Sequence, residues 1–323
     1  MGPMIWFFRF LISVVAATGV VAVAPMVAGF EDDGNATPAS CVHETIYEPF
    51  AGLILVSVTI AGSPPLDFVV DTGATSCSIT DPLLAGAFSL EIKETGLARG
   101  VGAGATRVAI VEDTCIRIDG VEVLRAPLVI HDIGARLAAT AGREIHGFLG
   151  ADLFERYVVE IDPVGHRLLL HDPETFVYRG AGYNVPLEVV DRRPVVRGAV
   201  VVKEGGKEVP VKLVVDTGSG RFLSLITKSR RHLKPPAEQR KGASIGVVGD
   251  STVVVALTQQ LQLGSIVARQ VETAWMEPFG AAAVRNIEDL NGILGNQMLG
   301  SFRAFYDYRG GRLILEPVNR SAR

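Results

Sequence analysis

Cysteine is scarce in this chain, and its three copies are Cys41, Cys77 and Cys115. No two of them form a CxxC pair, and none stands at zinc-site spacing from any of the six histidines. The sequence therefore predicts no metal centre. Cys77 and Cys115 fall in the same half of the chain, so a disulfide in an oxidising compartment and two buried thiols both remain open.

Charge of either sign is also in short supply. The chain has 35 acidic and 31 basic residues, a net charge of −4, and 20% charged residues overall. This excludes the strongly basic character expected of a nucleic-acid-binding protein. A basic cluster at 228–241 is interpreted most simply as a solvated loop face, with contact to acidic substrates or lipid as the alternative.

Long stretches with a helical period are lacking, whereas short β-like runs recur. Hydrophobic residues make up 48% of the chain, and Val, Ile, Leu and Gly are frequent. Such a composition can bury a substantial core and favours an all-β fold.

The N-terminal segment holds the longest apolar stretch. Residues 5–28 are nearly all apolar apart from Arg9, and 27–29 are small enough for cleavage. We interpret 1–29 as a signal peptide or, alternatively, a membrane anchor through 5–28. Either reading predicts an exported protein, periplasmic or secreted, with 30–44 as a polar linker.

The remaining sequence repeats itself at a constant spacing of 145 residues. Three pairs of blocks share this register, which chance does not explain. The pairs are 68–73 with 213–218, 147–150 with 292–295, and 165–168 with 310–313.

Each repeat is predicted to form strands joined by tight turns. The clearest hairpins are 53–60 with 66–71 and 199–202 with 209–216, and short helices are expected at 151–156 and 296–302. We therefore predict two pseudo-symmetric β lobes, 45–180 and 181–318, that meet at a cleft.

The first pair of blocks places an Asp-Thr-Gly at the end of an apolar strand in each lobe, so Asp71 and Asp216 are predicted to meet at the cleft. Two carboxylates about 3 Å apart cannot both ionise, so one can activate water while the other donates a proton. Gly73 and Gly218 permit the tight turn.

These motifs resemble the pepsin and retropepsin superfamily of aspartic proteases. The resemblance rests on Asp-Thr-Gly followed by Ala74 or Ser219, and on Phe-Leu-Gly and Ile-Leu-Gly blocks ending at Gly150 and Gly295. It implies a bilobal fold, endopeptidase activity and no cofactor. It also implies that Thr72 and Thr217 bond across the lobes and that Gly150 and Gly295 support the two Asp-Thr-Gly loops.

The same resemblance suggests a flap that closes over substrate. The candidate is the glycine-rich stretch Gly100, Val101, Gly102, Ala103 and Gly104, although an ordinary turn is the alternative. The register-equivalent stretch 246–249 is a second, weaker candidate.

Two departures from pepsins stand out. No tyrosine occurs at 89–110, where pepsins carry a flap tyrosine, and Ala74 replaces a hydroxyl residue. The missing hydroxyl donor suggests a mildly acidic to near-neutral optimum.

We expect a monomer that cleaves peptides or protein segments. The alternatives are an inactive peptide-binding module on the same fold and a membrane-anchored enzyme with one dedicated substrate.

Overall fold

The computed structural model describes residues 7–10, 40–100, 106–246, 249–277, 287 and 289–318. Across these residues the chain is built mainly of strands with a few short helices, which confirms the all-β prediction. The helices are α1 (Pro82–Ala87), α2 (Gly134–Ala141), α3 (Ala151–Arg156) and α4 (Asn296–Leu299).

The strands follow the internal repeat. Those in the first half are β1 (Phe7–Phe10), β2 (Cys41–Ile46), β3 (Glu48–Phe50), β4 (Leu53–Ile60), β5 (Leu66–Val70), β6 (Ser78–Ile79), β7 (Ile92–Gly100), β8 (Thr106–Ile118), β9 (Val121–His131), β10 (Gly147–Leu149), β11 (Val158–Asp162) and β12 (Arg167–His171). Those in the second half are β13 (Tyr183–Val190), β14 (Arg193–Val201), β15 (Glu208–Asp216), β16 (Leu223–Ile226), β17 (Arg240–Gly246), β18 (Gly249–Leu263), β19 (Ile266–Met276), β20 (Gly292–Gly295), β21 (Phe302–Asp307) and β22 (Arg312–Pro317).

Each half closes a ring of six strands. In the first lobe the order is β4–β5–β10–β6–β9–β8, and β8 pairs back onto β4. In the second lobe the order is β14–β15–β20–β16–β19–β18, and β18 pairs back onto β14. The shared topology is the structural expression of the repeat, because equivalent apolar runs occupy equivalent ring positions.

A second, antiparallel sheet joins the lobes. Its order is β13–β22–β21–β11–β12–β2, so strands of the first half pair with strands of the second between β11 and β21. The polar stretch predicted as a linker, 30–44, overlaps β2, which pairs with β12. Its last residues are therefore part of this sheet and not a free connection.

The core is formed by the apolar residues of these strands. Phe68, Val70, Leu213 and Val215 are fully buried on the strands that lead to the two Asp-Thr-Gly turns. Strands that are buried on both faces read as continuous apolar runs, as residues 68–70 and 213–215 do. Both turns therefore lie at the ends of firmly packed strands.

Short elements account for the differences from the sequence prediction. The helix predicted at 296–302 ends at Leu299, because β21 begins at Phe302, whereas the helix at 151–156 agrees with α3. Helices α1 and α2 were not predicted. The first is set by Asp81, whose side chain accepts a hydrogen bond from the Leu83 amide, and by Pro82 at the first helical position.

The three cysteines are free thiols. Cys77 is fully buried in the core of the first lobe, and Cys115 Sγ donates to Glu122 Oε2 at 3.0 Å. Of the two alternatives for Cys77 and Cys115, the structure adopts the one without a disulfide, although Cys115 is only partly buried.

The N-terminal segment is described at Phe7–Phe10, which pairs in parallel with residues 97–100 of β7. Residues 1–6 and 11–39 lie outside the described part, and with them most of the predicted signal peptide or anchor. No helix among the described residues is both long enough and apolar enough to cross a membrane.

Candidate active site

Equivalent strands deliver Asp71 and Asp216 to the centre of the molecule. Strand β5 pairs in parallel with β10, and the Asp71 amide donates to the Leu149 carbonyl at 2.9 Å. Strand β15 pairs in the same way with β20, where Asp216 lies opposite Gly295. Both aspartates are 0% exposed.

The two threonines form reciprocal hydrogen bonds between the lobes. The Thr72 amide donates to Thr217 Oγ1 at 3.0 Å, and the Thr217 amide donates to Thr72 Oγ1 at 2.9 Å. Each hydroxyl in turn donates to a carbonyl of the opposite strand, Thr72 to Val215 and Thr217 to Val70, both at 2.7 Å. Four hydrogen bonds therefore fix one Asp-Thr-Gly turn against the other.

The two glycines bring each turn against the opposite carboxyl group. A Cβ atom added to Gly73 would lie 2.7 Å from Asp216 Oδ1, and one added to Gly218 would lie 2.5 Å from Asp71 Cγ. No real Cβ atom makes contacts this close. Glycine is therefore required at both positions if the two carboxyl groups are to share one small volume.

Backbone amides orient the carboxyl groups. Asp71 Oδ1 accepts from the amides of Gly73 and Ala74 at 2.8 and 3.2 Å, and Asp216 Oδ1 accepts from Gly218 at 2.9 Å. Neither Oδ2 atom accepts a hydrogen bond from a backbone amide of the described residues. One oxygen of each aspartate is thus anchored, and the other is free to engage a water molecule or a proton.

Ala74 and Ser219 follow the two glycines, and only Ser219 has a hydroxyl group that could donate to a carboxyl group of the pair. Ser219 Oγ is buried and makes no hydrogen bond within the described chain, so it does not donate to Asp216. Neither position therefore supplies a hydroxyl donor to the carboxyl pair. The mildly acidic to near-neutral optimum for activity stays a prediction.

Both carboxyl groups hold a proton more tightly than an exposed carboxyl group does. Burial raises the pKa of Asp71 to about 6, against the Gly73 amide and the proton shared by the neighbouring Asp216, which both lower it. Burial also raises the pKa of Asp216 well above its usual value, and the charge of Asp71 adds to this rise. One proton is consequently retained by the pair at pH values where exposed carboxyl groups are ionised.

Gly150 and Gly295 lie behind the two turns. A Cβ atom on Gly150 would come within 2.9 Å of the Ala74 carbonyl, and one on Gly295 within 2.8 Å of the Ser219 carbonyl. The next residues, at the start of α3 and α4, donate their amides to the same two carbonyls. The chain therefore passes close to each Asp-Thr-Gly loop and bonds to it.

The candidate flap is described in part. Gly100 ends β7, whereas Val101, Gly102, Ala103 and Gly104 lie outside the described residues. The flanking strands β7 and β8 pair antiparallel up to Ala98 and Thr106. At the second candidate, β17 and β18 pair antiparallel up to Gly246 and Gly249, with 247–248 outside the described part.

The sequence did not reveal a buried arginine beside the dyad. Arg193 is 0% exposed, and its Nε donates to the Gly73 carbonyl at 2.8 Å. Arg193 follows Asp191 and Arg192 and precedes Pro194. A run of charged residues before a proline usually indicates a solvated turn. In the structure Arg193 takes the place that the core residue Leu53 has in the first lobe, 140 residues earlier, so the repeat at 145 residues gave no signal for it.

No group of three or more His, Cys, Asp or Glu side chains that could bind a metal ion occurs in the described parts of the chain.

The architecture is that of a two-lobed β protein with one Asp-Thr-Gly turn from each lobe at the centre. Residues 56–153, which run from β4 into α3 and include Asp71 and Gly150, match the aspartyl protease family. The match covers less than a third of the chain, and it supports the resemblance to aspartyl proteases of the pepsin and retropepsin clan on which the motifs rest. No curated protein matches the chain.

Proposed function

We propose that the chain is an aspartic endopeptidase with Asp71 and Asp216 as its catalytic residues. The observation that carries the proposal is the close packing of Gly73 and Gly218 on the opposite carboxyl groups, which places two buried carboxyls in one volume. A merely structural role would not need two buried acids facing each other, because an uncompensated carboxyl group is costly to bury.

The two carboxyl groups titrate as a pair that shares one proton. In the proposed cycle Asp71 is written as the ionised partner and Asp216 as the protonated one. A water molecule between the two Oδ2 atoms would give a proton to Asp71 while its oxygen attacks the peptide carbonyl carbon, and Asp216 would protonate the carbonyl oxygen. Collapse of the tetrahedral intermediate breaks the C–N bond. The proton on Asp71 passes to the leaving amine, and one hydroxyl group of the intermediate returns a proton to Asp216 as the carboxylic acid product forms.

The test is cleavage of a mixed peptide library by the full chain, purified in mild detergent, from pH 3 to pH 8. Asp71→Asn and Asp216→Asn should each reduce kcat by at least about 10³-fold, since each removes one partner of the proton transfer. Asp132→Asn, at an exposed position, is the matched control and should retain full activity.

The outcomes separate the two candidate functions. Loss of cleavage in both dyad variants supports the endopeptidase and yields its specificity from the product ends. Peptide binding without turnover at any pH in the unaltered chain would instead support a peptide-binding module.

For localisation we propose export through the N-terminal segment. The support is the apolar run at 5–28, followed by a polar stretch. N-terminal sequencing of the protein made in its own host tests this: a start near residue 30 indicates a cleaved signal, an intact N-terminus in the membrane fraction indicates an anchor, and an intact cytoplasmic chain contradicts export.

A further inference from the structure

The turn between β13 and β14 of the second lobe reaches across to the Asp71 loop of the first lobe. Asp191 and Arg192 form this two-residue turn, both at positive φ, and Arg193 follows at the start of β14. The Arg193 guanidinium donates from Nε to the Gly73 carbonyl and from Nη1 to Asp191 Oδ2 at 2.9 Å. A fully buried charge thus bonds directly to the catalytic turn.

Arg192 holds the next part of the same loop. Its Nη1 donates to the Thr75 carbonyl at 2.7 Å, and its Nη2 donates to Asp152 Oδ1 at 2.7 Å and to Glu155 on α3. Asp152 Oδ2 in turn accepts from the Cys77 amide at 2.6 Å. Backbone groups of the loop from residue 73 to residue 77 are therefore bonded to the two arginines, or to a carboxylate that an arginine orients.

The pseudo-symmetric position in the other lobe lacks this device. The equivalent hairpin turn is Ala51–Gly52, followed by Leu53, as the pairings of β3 with β4 and of β13 with β14 show. The residues of α4 and its end that correspond to Asp152 and Glu155 are Gln297 and Gly300. Here the structure has a cavity of about 580 Å³ lined by this turn and by α4.

The arginine-containing turn of the second lobe is energetically less favourable than its counterpart in the first lobe. Arg192 has a φ of +60°, a conformation that favours glycine, and the first lobe has Gly52 at the corresponding place. Burying Arg193 also removes a charge from water. Neither feature is needed to build the hairpin, since Ala51–Gly52–Leu53 builds the same one.

We propose that Arg193, together with Arg192, is a positioning residue that holds the Asp71 turn in its productive geometry and supplies a fixed positive charge to the dyad. This inference rests on the proposed peptidase function. It gives the two aspartates unequal surroundings, because the guanidinium groups donate hydrogen bonds to the first-lobe loop and not to the Asp216 turn.

The electrostatic part has a defined sign. The Arg193 charge lowers the pKa of both Asp71 and Asp216 and so opposes the effect of burial. The other charged or titratable groups of the described residues around this cluster are Asp191, which pairs with Arg193, Arg192 with its partners Asp152 and Glu155, and the buried Tyr306 and Tyr308. Removing Arg193 should therefore move the acidic limb of the pH–activity profile to higher pH.

The experiment compares Arg193→Leu, which installs the residue of the other lobe, with Arg193→Lys in the full chain. Leu should lower kcat about 10- to 100-fold, leave KM within a few-fold, and shift the acidic limb upward. Lys retains the charge but not the planar fork, so it should lower kcat while keeping the limb in place. Arg197→Leu, on the same strand but exposed, is the matched control and should change neither property.

A second readout does not depend on turnover. Titration of ¹³C-carboxyl-labelled aspartate by NMR, with the Asp71 and Asp216 signals assigned from their Asn variants, should show both signals titrating at higher pH in Arg193→Leu. An unchanged titration and an unchanged kcat in the folded variant would overturn the proposal.

If the unaltered chain cleaves no peptide, the peptidase function fails, while the titration alone still decides whether Arg193 sets the charge state of the pair. If Arg193→Leu does not fold, Arg193→Lys with unaltered kcat would be the contradicting result.

Discussion

Thr72 and Thr217 show how much of the site depends on single atoms. Each hydroxyl accepts from an amide and donates to a carbonyl of the opposite lobe, so removing one leaves a buried amide and a buried carbonyl without partners. An unsatisfied buried polar group costs about 1–3 kcal/mol. Both threonines therefore contribute to the site through their hydroxyl groups.

Thr217→Val should lower the free energy of unfolding by about 2–4 kcal/mol, because it keeps the shape of threonine but removes two hydrogen bonds. Thr217→Ser keeps the hydroxyl and should cost less than half as much. Urea denaturation of both variants measures the difference. Equal stability of the Val and Ser variants would show that the cross-lobe bonds contribute little.

The buried aspartate pair predicts a pH dependence of stability with a definite sign. The pKa of Asp71 is about 6 in the folded chain and about 3.9 in an unfolded chain. Between about pH 4 and pH 6 the unfolded state has released this proton while the folded state still holds it, so a rise in pH favours unfolding. The stabilisation from this group is therefore complete below about pH 4 and is lost as the pH rises through 6.

Asp71→Asn should remove the part of this dependence that comes from Asp71, while the part from the buried Asp216 remains, so the variant should gain stability relative to the unaltered chain as the pH rises from 4 to 7. Urea denaturation at each pH measures the difference between the two proteins, and the exposed Asp132→Asn controls for the general effect of losing a carboxylate. A difference that stays constant with pH would contradict the raised pKa of Asp71.

At this scale the sequence predicted what repeats and missed what does not. The Asp-Thr-Gly turns were visible because strand, acid and glycine recur in both halves. Arg193 was not, because a run of three charged residues before a proline is usually solvated, and its burial depends on a carbonyl 120 residues away.

Among the elements, strands were predictable and short helices less so. Apolar runs define β4 within its observed bounds and β15 to within one residue, since burial sets both. Helices α1 and α2 span 6 and 8 residues, too few to show a clear apolar period. The sheet that joins the lobes was also unforeseen, because its pairings link residues far apart in sequence.

That sheet contains a buried charged cluster. Glu160 on β11 contacts His171 on β12 at 2.7 Å and Arg303 on β21 at 2.5 Å, and both Glu160 and His171 are 0% exposed. Ser40 Oγ lies 3.1 Å from the other nitrogen of His171. The cluster links strands of the two halves, so its loss should weaken the joint between them.

Glu160→Leu should lower the free energy of unfolding by about 3–5 kcal/mol, since it leaves the buried His171 and the partly exposed Arg303 without their acceptor. Glu188→Leu removes the partner of Arg197 in an exposed pair and should change it by less than about 1 kcal/mol. Chemical denaturation of both variants is the measurement. Similar losses in free energy of unfolding would show that the buried cluster contributes no more to stability than the exposed ion pair does.

At the scale of the whole molecule, the two halves are joined by more than the connecting chain. The sheet β13–β22–β21–β11–β12–β2 contains three strands from each half, and the Thr72 and Thr217 bonds cross the same boundary. The repeat at 145 residues predicted two lobes, but it could not predict this shared sheet, because the sheet depends on how the lobes dock.

A chain divided between Gly180 and Ala181, both exposed, should therefore still assemble. Coexpressed residues 1–180 and 181–323 are expected to form a 1:1 complex with sub-micromolar affinity and with peptidase activity, because the shared sheet and the aspartate turns form the interface. Each half alone would expose the edge of the shared sheet and its own Asp-Thr-Gly turn, so it should be inactive and prone to associate. Light scattering of the purified fragments, separately and mixed, measures assembly. Two folded, monomeric halves that do not associate would mean that the connection at 172–182, and not the shared sheet, holds the lobes in register.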